Sequence, residues 1–438
     1  MKTIWYRLII AVFFLACLAP LAGLLIAGPA EPAANEAAAP APRVFGYDGS
    51  FNLDLPDELR DYVGKGFFPR LAAITAWDAL CATLFHTSAN DDVLLGPDGW
   101  LFYGAAVNDI AGAGQMTDRE IWCCARSLAL MQEYAASRGA RFLFVSPCGK
   151  YTLYPEHAPS YVTVAAGSNR ERLYAALDEM GVANVDLYEP FTAVGEELYW
   201  RWDSHWNGRG AALAADEILS AAGLPSDWFG GAFIEQDGHT GDLYAMLYPT
   251  GTATEADYAP ASGFGFSYTS DFRSTDDMTI TTENAGVDGA LLLFRDSSGR
   301  SLYPYLADRF GSAYITRMNS YRLDLIDETG ATVVVAELAE RTLDYLLKYP
   351  AVYPSPVRDA AVLAGMEAVE SGISVGAADI APDGCAAVTG TLPDAAVDSP
   401  VYVLADGVVY EAIPGADGFR AYLPDGTAAD GLAVYVRR

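Results

Sequence analysis

Two short stretches hold the residue types of acyl chemistry. "YWRWDSHWNGRG", residues 199–210, sets Asp203 and His205 on either side of a serine, among Trp200, Trp202 and Trp206. The chain has only four histidines, so one placed beside an aspartate invites a chemical reading. Downstream, "LLLFRDSSGRSLYPYLADRF", residues 291–310, runs an apolar segment into Asp296, Ser297, Ser298 and Gly299. A serine hydroxyl attacks an acyl carbon only when a base is at hand to take its proton. His205 is the candidate base for Ser297, and Asp203 would hold the other imidazole nitrogen and stabilise the charged ring. Residues two apart do not share a helix face, so the pair belongs on a turn. Asp and Ser between a strand and a helix are also ordinary N-caps, and Ser298 is a second candidate nucleophile.

Those residues need elements to hold them. "RFLFVSP", "NVDLY", "GALLLF", "SAYITRM" and "ATVVVAEL" read as short apolar strands. They alternate with helices: one opened by a Thr117/Glu120 capping box and stopped at Gly139, one over 169–180, and one capped by Asn207. Such alternation predicts a parallel sheet covered on both faces. Ser297 then falls at the C-terminal edge of a strand, where open α/β sheets place their sites. The following helix N-terminus offers N–H groups and partial positive charge to an oxyanion. Residues 223–289, rich in Gly, Thr, Ser, Asp and Tyr, break this rhythm and read as long loops. A helical stretch is expected over 57–86. From about residue 373 the pattern turns to alternation with three Asp-Gly turn signals, a small antiparallel β-domain. Carbohydrate binding and plain packing are both open for it.

Several blocks together resemble a known family. "RWDSHWNGRGAALAA" is similar to the D-x-H-W-N/S signature of the alginate O-acetyltransferase-like and DHHW families of SGNH (GDSL-type) hydrolase relatives. "FRDSSGRSLYPYLADRF" resembles their G-D-S-F/Y block, "GPDGWLFYG" their G-K-D-G-W-L-F block, and "SPCGKYTLYPEHAP" their P-x-K-x-x-x-Y-P-E block. The resemblance implies an SGNH-like (flavodoxin-like) three-layer α/β/α parallel sheet and a triad of Ser297, His205 and Asp203, with the Asp-His pair preceding the serine. It implies acetyl transfer through an acyl-serine to a hydroxyl of a cell-surface or secreted polysaccharide, the donor being delivered by a membrane-bound O-acyltransferase. Trp206, Lys150, Tyr154, Arg322 and Arg341 become candidates for substrate binding, with core packing or structural ion pairs as the alternative. Arg295 departs from the pattern, standing where the family has glycine, and a bulky side chain at a tight strand end threatens the elbow. A carbohydrate esterase of the same fold and a non-catalytic glycan-binding or scaffold subunit of an export complex stay open beside the transferase.

Composition bounds these readings. The 438 residues carry a net charge of −30, which argues against nucleic acid as a partner. No phosphate loop or dinucleotide fingerprint occurs, so no cofactor is expected. A metal at Asp203 and His205 is not expected either, because His86, His157 and His239 have no ligand-like spacing; His239 reads as a loop residue, with a place lining the cleft as the alternative because the resembling family has a similar Gly-Asp-Leu segment. Lys2 and Arg7 precede an apolar run, 8–28, long enough to cross a bilayer and oriented to leave the body outside the cytoplasm. A single-pass anchor in the cell membrane is the expectation, secretion after signal cleavage the alternative. The expected division is a span at 1–28, an extended Ala/Pro-rich spacer at 29–45, an SGNH-like domain at 46–355 and a β-domain at 370–438. The cysteines outside the span show no zinc spacing and read as small buried thiols.

Overall fold

The structure, a computed structural model, describes residues 2–33, 36–163, 165–369, 372–376, 380–392, 395–428 and 431–438. Three helices come first: α1 (Lys2–Ala27), α2 (Leu55–Gly66) and α3 (Arg70–Phe85). α1 is long and apolar enough to cross a membrane. The stretch expected as one helix over 57–86 is two. Proline disfavours helical backbone in the residue before it, and the chain breaks at Phe67–Pro69. The segment after α1 also differs from a stand-off spacer. Ala30 donates its N–H to the Gly66 carbonyl at 2.7 Å, and Arg70 pairs with Glu36 at 2.8 Å, so it folds back on α2 and α3.

A hairpin, β1 (Val93–Leu95) and β2 (Leu101–Tyr103), leads through α4 (Ala105–Ile110) to α5 (Asp118–Ser137). α5 opens on the capping box read from sequence, Thr117 with Glu120. Then follow β3 (Arg141–Val145), α6 (Lys150–Leu153), α7 (Asn169–Met180), β4 (Asn184–Val185), α8 (Tyr188–Ala193) and α9 (Gly208–Ala221). Residues 223–289 are not structureless. They hold a hairpin of β5 (Phe233–His239) and β6 (Glu255–Pro260) with α10 (Asp242–Leu247) between them, and then β7 (Ser267–Tyr268) and β8 (Thr279–Glu283). Their strand faces are largely exposed or half-buried and polar, so they carry no apolar run. The remaining elements of the domain are β9 (Ala290–Phe294), α11 (Gly299–Ala307), β10 (Ser312–Thr316), α12 (Leu325–Thr329) and β11 (Val333–Glu337).

The central sheet has the order β4-β3-β11-β9-β10-β8-β7. Its first five strands are parallel, and β8 and β7 extend it antiparallel. Alternate residues of each strand enter different cores. Phe142, Phe144, Leu292, Phe294, Val334 and Ala336 pack with α5 and α7 on one face. Leu143, Val145, Leu291, Leu293, Val333 and Val335 pack with α9 and α11 on the other. The two-residue period of a strand with both faces covered gives continuous apolar runs, which is why β3, β9 and β11 were legible.

Beyond residue 356 lies an antiparallel eight-stranded sheet with its own apolar core. It is docked on α5. Buried Glu411 bridges Arg126 at 2.5 Å and Arg358 at 2.7 Å, and Ala387, Ile413 and Tyr422 join the core beside α5. All six cysteines are unpaired thiols, of which Cys81, Cys123, Cys124 and Cys148 are buried.

Candidate active site

The turn between Tyr199 and Trp206 is closed by a β-bridge between those two residues, and Asn207 caps α9 immediately afterwards. Asp203 shapes the tip. Its Oδ1 accepts the His205 backbone N–H at 2.9 Å and the ring Nδ1 at 2.7 Å. Across the turn, His205 Nε2 stands 2.8 Å from Ser297 Oγ. A carboxylate only accepts, so Nδ1 carries the ring proton and Nε2 is left to accept from the serine hydroxyl. Sequence brings Asp203 and His205 together; the fold brings Ser297 to them from 92 residues away.

The serine is held from beneath. Asp296 accepts the Ser298 N–H at 2.7 Å and the Ala339 N–H at 2.8 Å, tying the end of β9 to the end of β11. Glu337 accepts the Asp296 N–H at 2.8 Å. Burial and the adjacent Asp296 push the Glu337 carboxyl well above its ordinary range, so it stays protonated beside its neighbour. Ser297 sits one residue before the Ser298 N-cap of α11, at the positive end of that helix. Arg295 does not obstruct the elbow. It is buried, with one guanidinium nitrogen 3.1 Å from the Asp296 carbonyl and another bonded to the Thr275 carbonyl. Gly299 makes room for it: a Cβ there would lie 2.5 Å from Arg295 Cβ.

Asp242 and Arg300 line the cleft without having been singled out in the sequence, and His239, expected on a loop with a cleft position as the alternative, stands at the end of β5. His239 Nε2 donates to the free oxygen of Asp203 at 2.9 Å, while its ring stacks on Trp200 with centroids 3.7 Å apart. The Asp242 N–H donates to the same oxygen at 3.0 Å, and its carboxylate accepts the Ser204 hydroxyl at 2.6 Å. Burial raises the Asp203 carboxyl, but the bonds from His205 and His239 outweigh it and hold the group well below its ordinary value. Asp242 is pushed up, by burial first and then by Asp203. Arg300 lies over the imidazole, its nearest nitrogen 3.5 Å from each ring nitrogen, and bonds the Ser297 carbonyl at 3.1 Å. Only a hairpin placed over the turn unites His239 with Asp203, and no local spacing signals that.

Four substrate-binding candidates are absent from the lining of the cleft over Ser297. Trp206 is wholly buried and donates Nε1–H to the Ser298 carbonyl at 2.9 Å, pinning the histidine turn to the serine strand. Lys150 is buried, and its ammonium donates to the carbonyls of Leu101, Arg201 and Asp203 at 2.7–2.9 Å. Burial lowers it to about 7. Tyr154 accepts the Leu198 N–H at 2.8 Å. Arg322 is paired with Asp324. Arg341 alone of the five lines the cleft of about 710 Å³ above Ser297, with Arg300, Arg317, Lys348, Asp276 and Tyr345 among its neighbours. One ligand atom each from Asp203, His205 and Asp242 lies within 4.8 Å of the others, a metal-like grouping, yet both carboxylates already accept from nearby donors.

A strand-end serine facing a His-Asp turn over a doubly covered sheet defines an SGNH hydrolase-like α/β domain. Residues 93–265 match the family model described as "SGNH hydrolase-like domain, acetyltransferase AlgX". Asp203 and His205 fall inside the match, and Ser297 lies beyond it. No curated protein matches the chain. Among solved structures, Bacillus cereus PatB1 with a sulfonyl adduct is similar at 18% identity, TM-score 0.47, covering 59% of this chain and 98% of that one. A DHHW family protein from Eubacterium siraeum is similar at 18% identity, TM-score 0.46, covering 60% and 97%. The O-acetyltransferase domain of Pseudomonas putida AlgJ is similar at 21% identity, TM-score 0.41, covering 58% and 93%.

Proposed function

We propose that the chain is an extracytoplasmic O-acetyltransferase that passes an acetyl group through Ser297 to a hydroxyl of a cell-surface or secreted polysaccharide. The observation carrying this reading is the relay from Ser297 Oγ to His205 Nε2 at 2.8 Å, and from His205 Nδ1 to Asp203 at 2.7 Å. Ser297 Oγ attacks the carbonyl carbon of the donor's acetyl group while His205 takes the hydroxyl proton. The oxyanion forms at the N-terminus of α11, near the Arg300 charge. Collapse breaks the donor's acyl bond, His205 returns the proton to the leaving group, and acetyl-Ser297 remains. A sugar hydroxyl then gives its proton to His205 and attacks the acetyl carbon; the acyl–Oγ bond breaks, His205 returns that proton to Ser297 Oγ, and the acetylated sugar leaves. The cleft, with Tyr345, Arg341 and Asp276 in its walls, has room for sugar units over the serine.

The family match supports the acetyl chemistry, and α1 suits an enzyme held at the outer face of a membrane, within reach of a membrane-bound acyl donor system. The test uses the whole chain with a chromogenic acetyl ester and an oligosaccharide acceptor. Transfer to the sugar is expected, and Ser297→Ala or His205→Ala should lower turnover at least about a thousandfold. Acetate release without sugar acetylation would make it an esterase. Glycan binding that survives both changes, with no turnover at all, would make it a scaffold.

A further inference from the structure

α3 is unusual for a helix with an open side. Its sequence, RLAAITAWDALCATLF, carries two charges. Asp78 is buried and caps the Ala89 N–H at 3.0 Å, and Arg70 is spent on Glu36. The exposed face therefore bears no charge. Trp77, Leu80, Leu84 and Phe85 stand 43% to 65% exposed, the first three along one stripe of the helix, with Phe68 exposed at its base. Helices on the water-facing surface of a globular protein place charged and polar residues there. An uncovered apolar face of this size marks a contact surface.

What covers it follows from α1. The backbones of α1 and of the α2–α3 junction touch: a Cβ on Gly23 would lie 2.0 Å from the Phe68 carbonyl oxygen. Leu24 packs 3.4 Å from the Cβ position of Gly66. Gly23 is four residues short of the end of the span at Ala27, about 6 Å along a helix axis. Amphipathic helices that lie in a membrane surface sit about 5–10 Å into the headgroup–acyl boundary. A retained span thus holds the base of α3 at that depth.

We propose that α3 lies on the outer leaflet, with Trp77, Leu80, Leu84 and Phe85 in the lipid, so that the catalytic body is docked on the bilayer and not merely tethered to it. Tryptophan at the interface and aliphatic side chains below it suit that position. A chain of net charge −30 gains nothing from anionic headgroups, so the attachment is apolar and holds on zwitterionic lipid. The inference rests on α1 being retained and not on the acyl chemistry; an inactive protein would dock equally.

The full chain, with a protease site inserted in residues 37–42, is reconstituted in vesicles of phosphatidylcholine and phosphatidylethanolamine, cut, and floated. The cut body is expected to float with the vesicles at low and high salt. The W77E/L80E/L84E variant, whose changes lie on the exposed stripe of α3, should shift mostly to the soluble fraction with an unchanged unfolding midpoint. A wild-type body released by the cut overturns the proposal, as does a triple variant that still floats. Retention on native membranes together with release from pure lipid overturns it too, and assigns the face to a membrane protein partner. Should the triple variant misfold, brominated-lipid quenching of intact wild type against W77F decides: loss of a quenched component in W77F supports docking, and identical quenching refutes it.

Discussion

At the scale of single residues, the unexpected feature is the number of donors on Asp203: two from His205, one from His239 and one from the Asp242 backbone. His239 bonds Asp203, the carboxylate that holds the proposed base His205. His239→Ala should lower kcat by roughly 10- to 100-fold, the size of one hydrogen bond to a charged group, with KM little changed. His239→Gln, which still donates, should restore most of it; an equal loss in both variants would deny the role. Glu337 gives a stability prediction with a definite sign. Its folded-state carboxyl is raised above the ordinary 4.5, so its contribution is fully present below that value and is lost as pH rises through the raised one. Glu337→Gln keeps an acceptor for the Asp296 N–H and cannot ionise. Its melting temperature should gain on wild type as pH rises; parallel curves would contradict this. Asp203, His205 and Ser297 were legible because residue type and sequence neighbours announce them. The bond from His239 was not, because its partner lies 36 positions away and the β5–β6 hairpin that carries His239 is polar on its open faces.

Among the elements, the strand-to-helix elbow shows how one departure is absorbed. Arg295 stands where the resembling family has glycine, and Gly299 supplies the missing space on the next turn. Gly299→Ala would set a methyl 2.5 Å from Arg295 Cβ and 2.7 Å from its Cδ. Overpacking of this kind should cost about 1–3 kcal/mol in chemical denaturation. In an Arg295→Ala background the cost should shrink by about 1 kcal/mol or more, and additive losses would mean the two residues are independent. Strands β3, β9 and β11 could be read because both their faces are buried. β5 to β8 could not, because their exposed and half-buried positions carry Thr, Ser, Glu and Asp that pattern like loop.

For the molecule as a whole, the C-terminal sheet is part of the body. Glu411 is 1% exposed and holds two arginines, one of which also binds Glu133 on α5. Shared core residues and this network predict one calorimetric unfolding transition for the region after α3. Two well-separated transitions would show the sheet to be autonomous. Removal of the shared carboxylate in Glu411→Ala should lower stability by about 2–3 kcal/mol, less than for a fully enclosed pair because Arg126 and Arg358 are partly wet. The sequence pattern announced this sheet through its alternation and Asp-Gly turns, but docking depends on side chains almost 300 positions apart, such as Arg126 and Glu411, that no local pattern connects. The proposed activity rests on one covalent event. Brief incubation with an acetyl ester, acid quench and peptide mass spectrometry should find an acetyl adduct on Ser297 in wild type, accumulating most when acceptor sugar is withheld and absent in Ser297→Ala. Steady turnover with no adduct on Ser297, or turnover that persists in Ser297→Ala, would contradict an acyl-serine route.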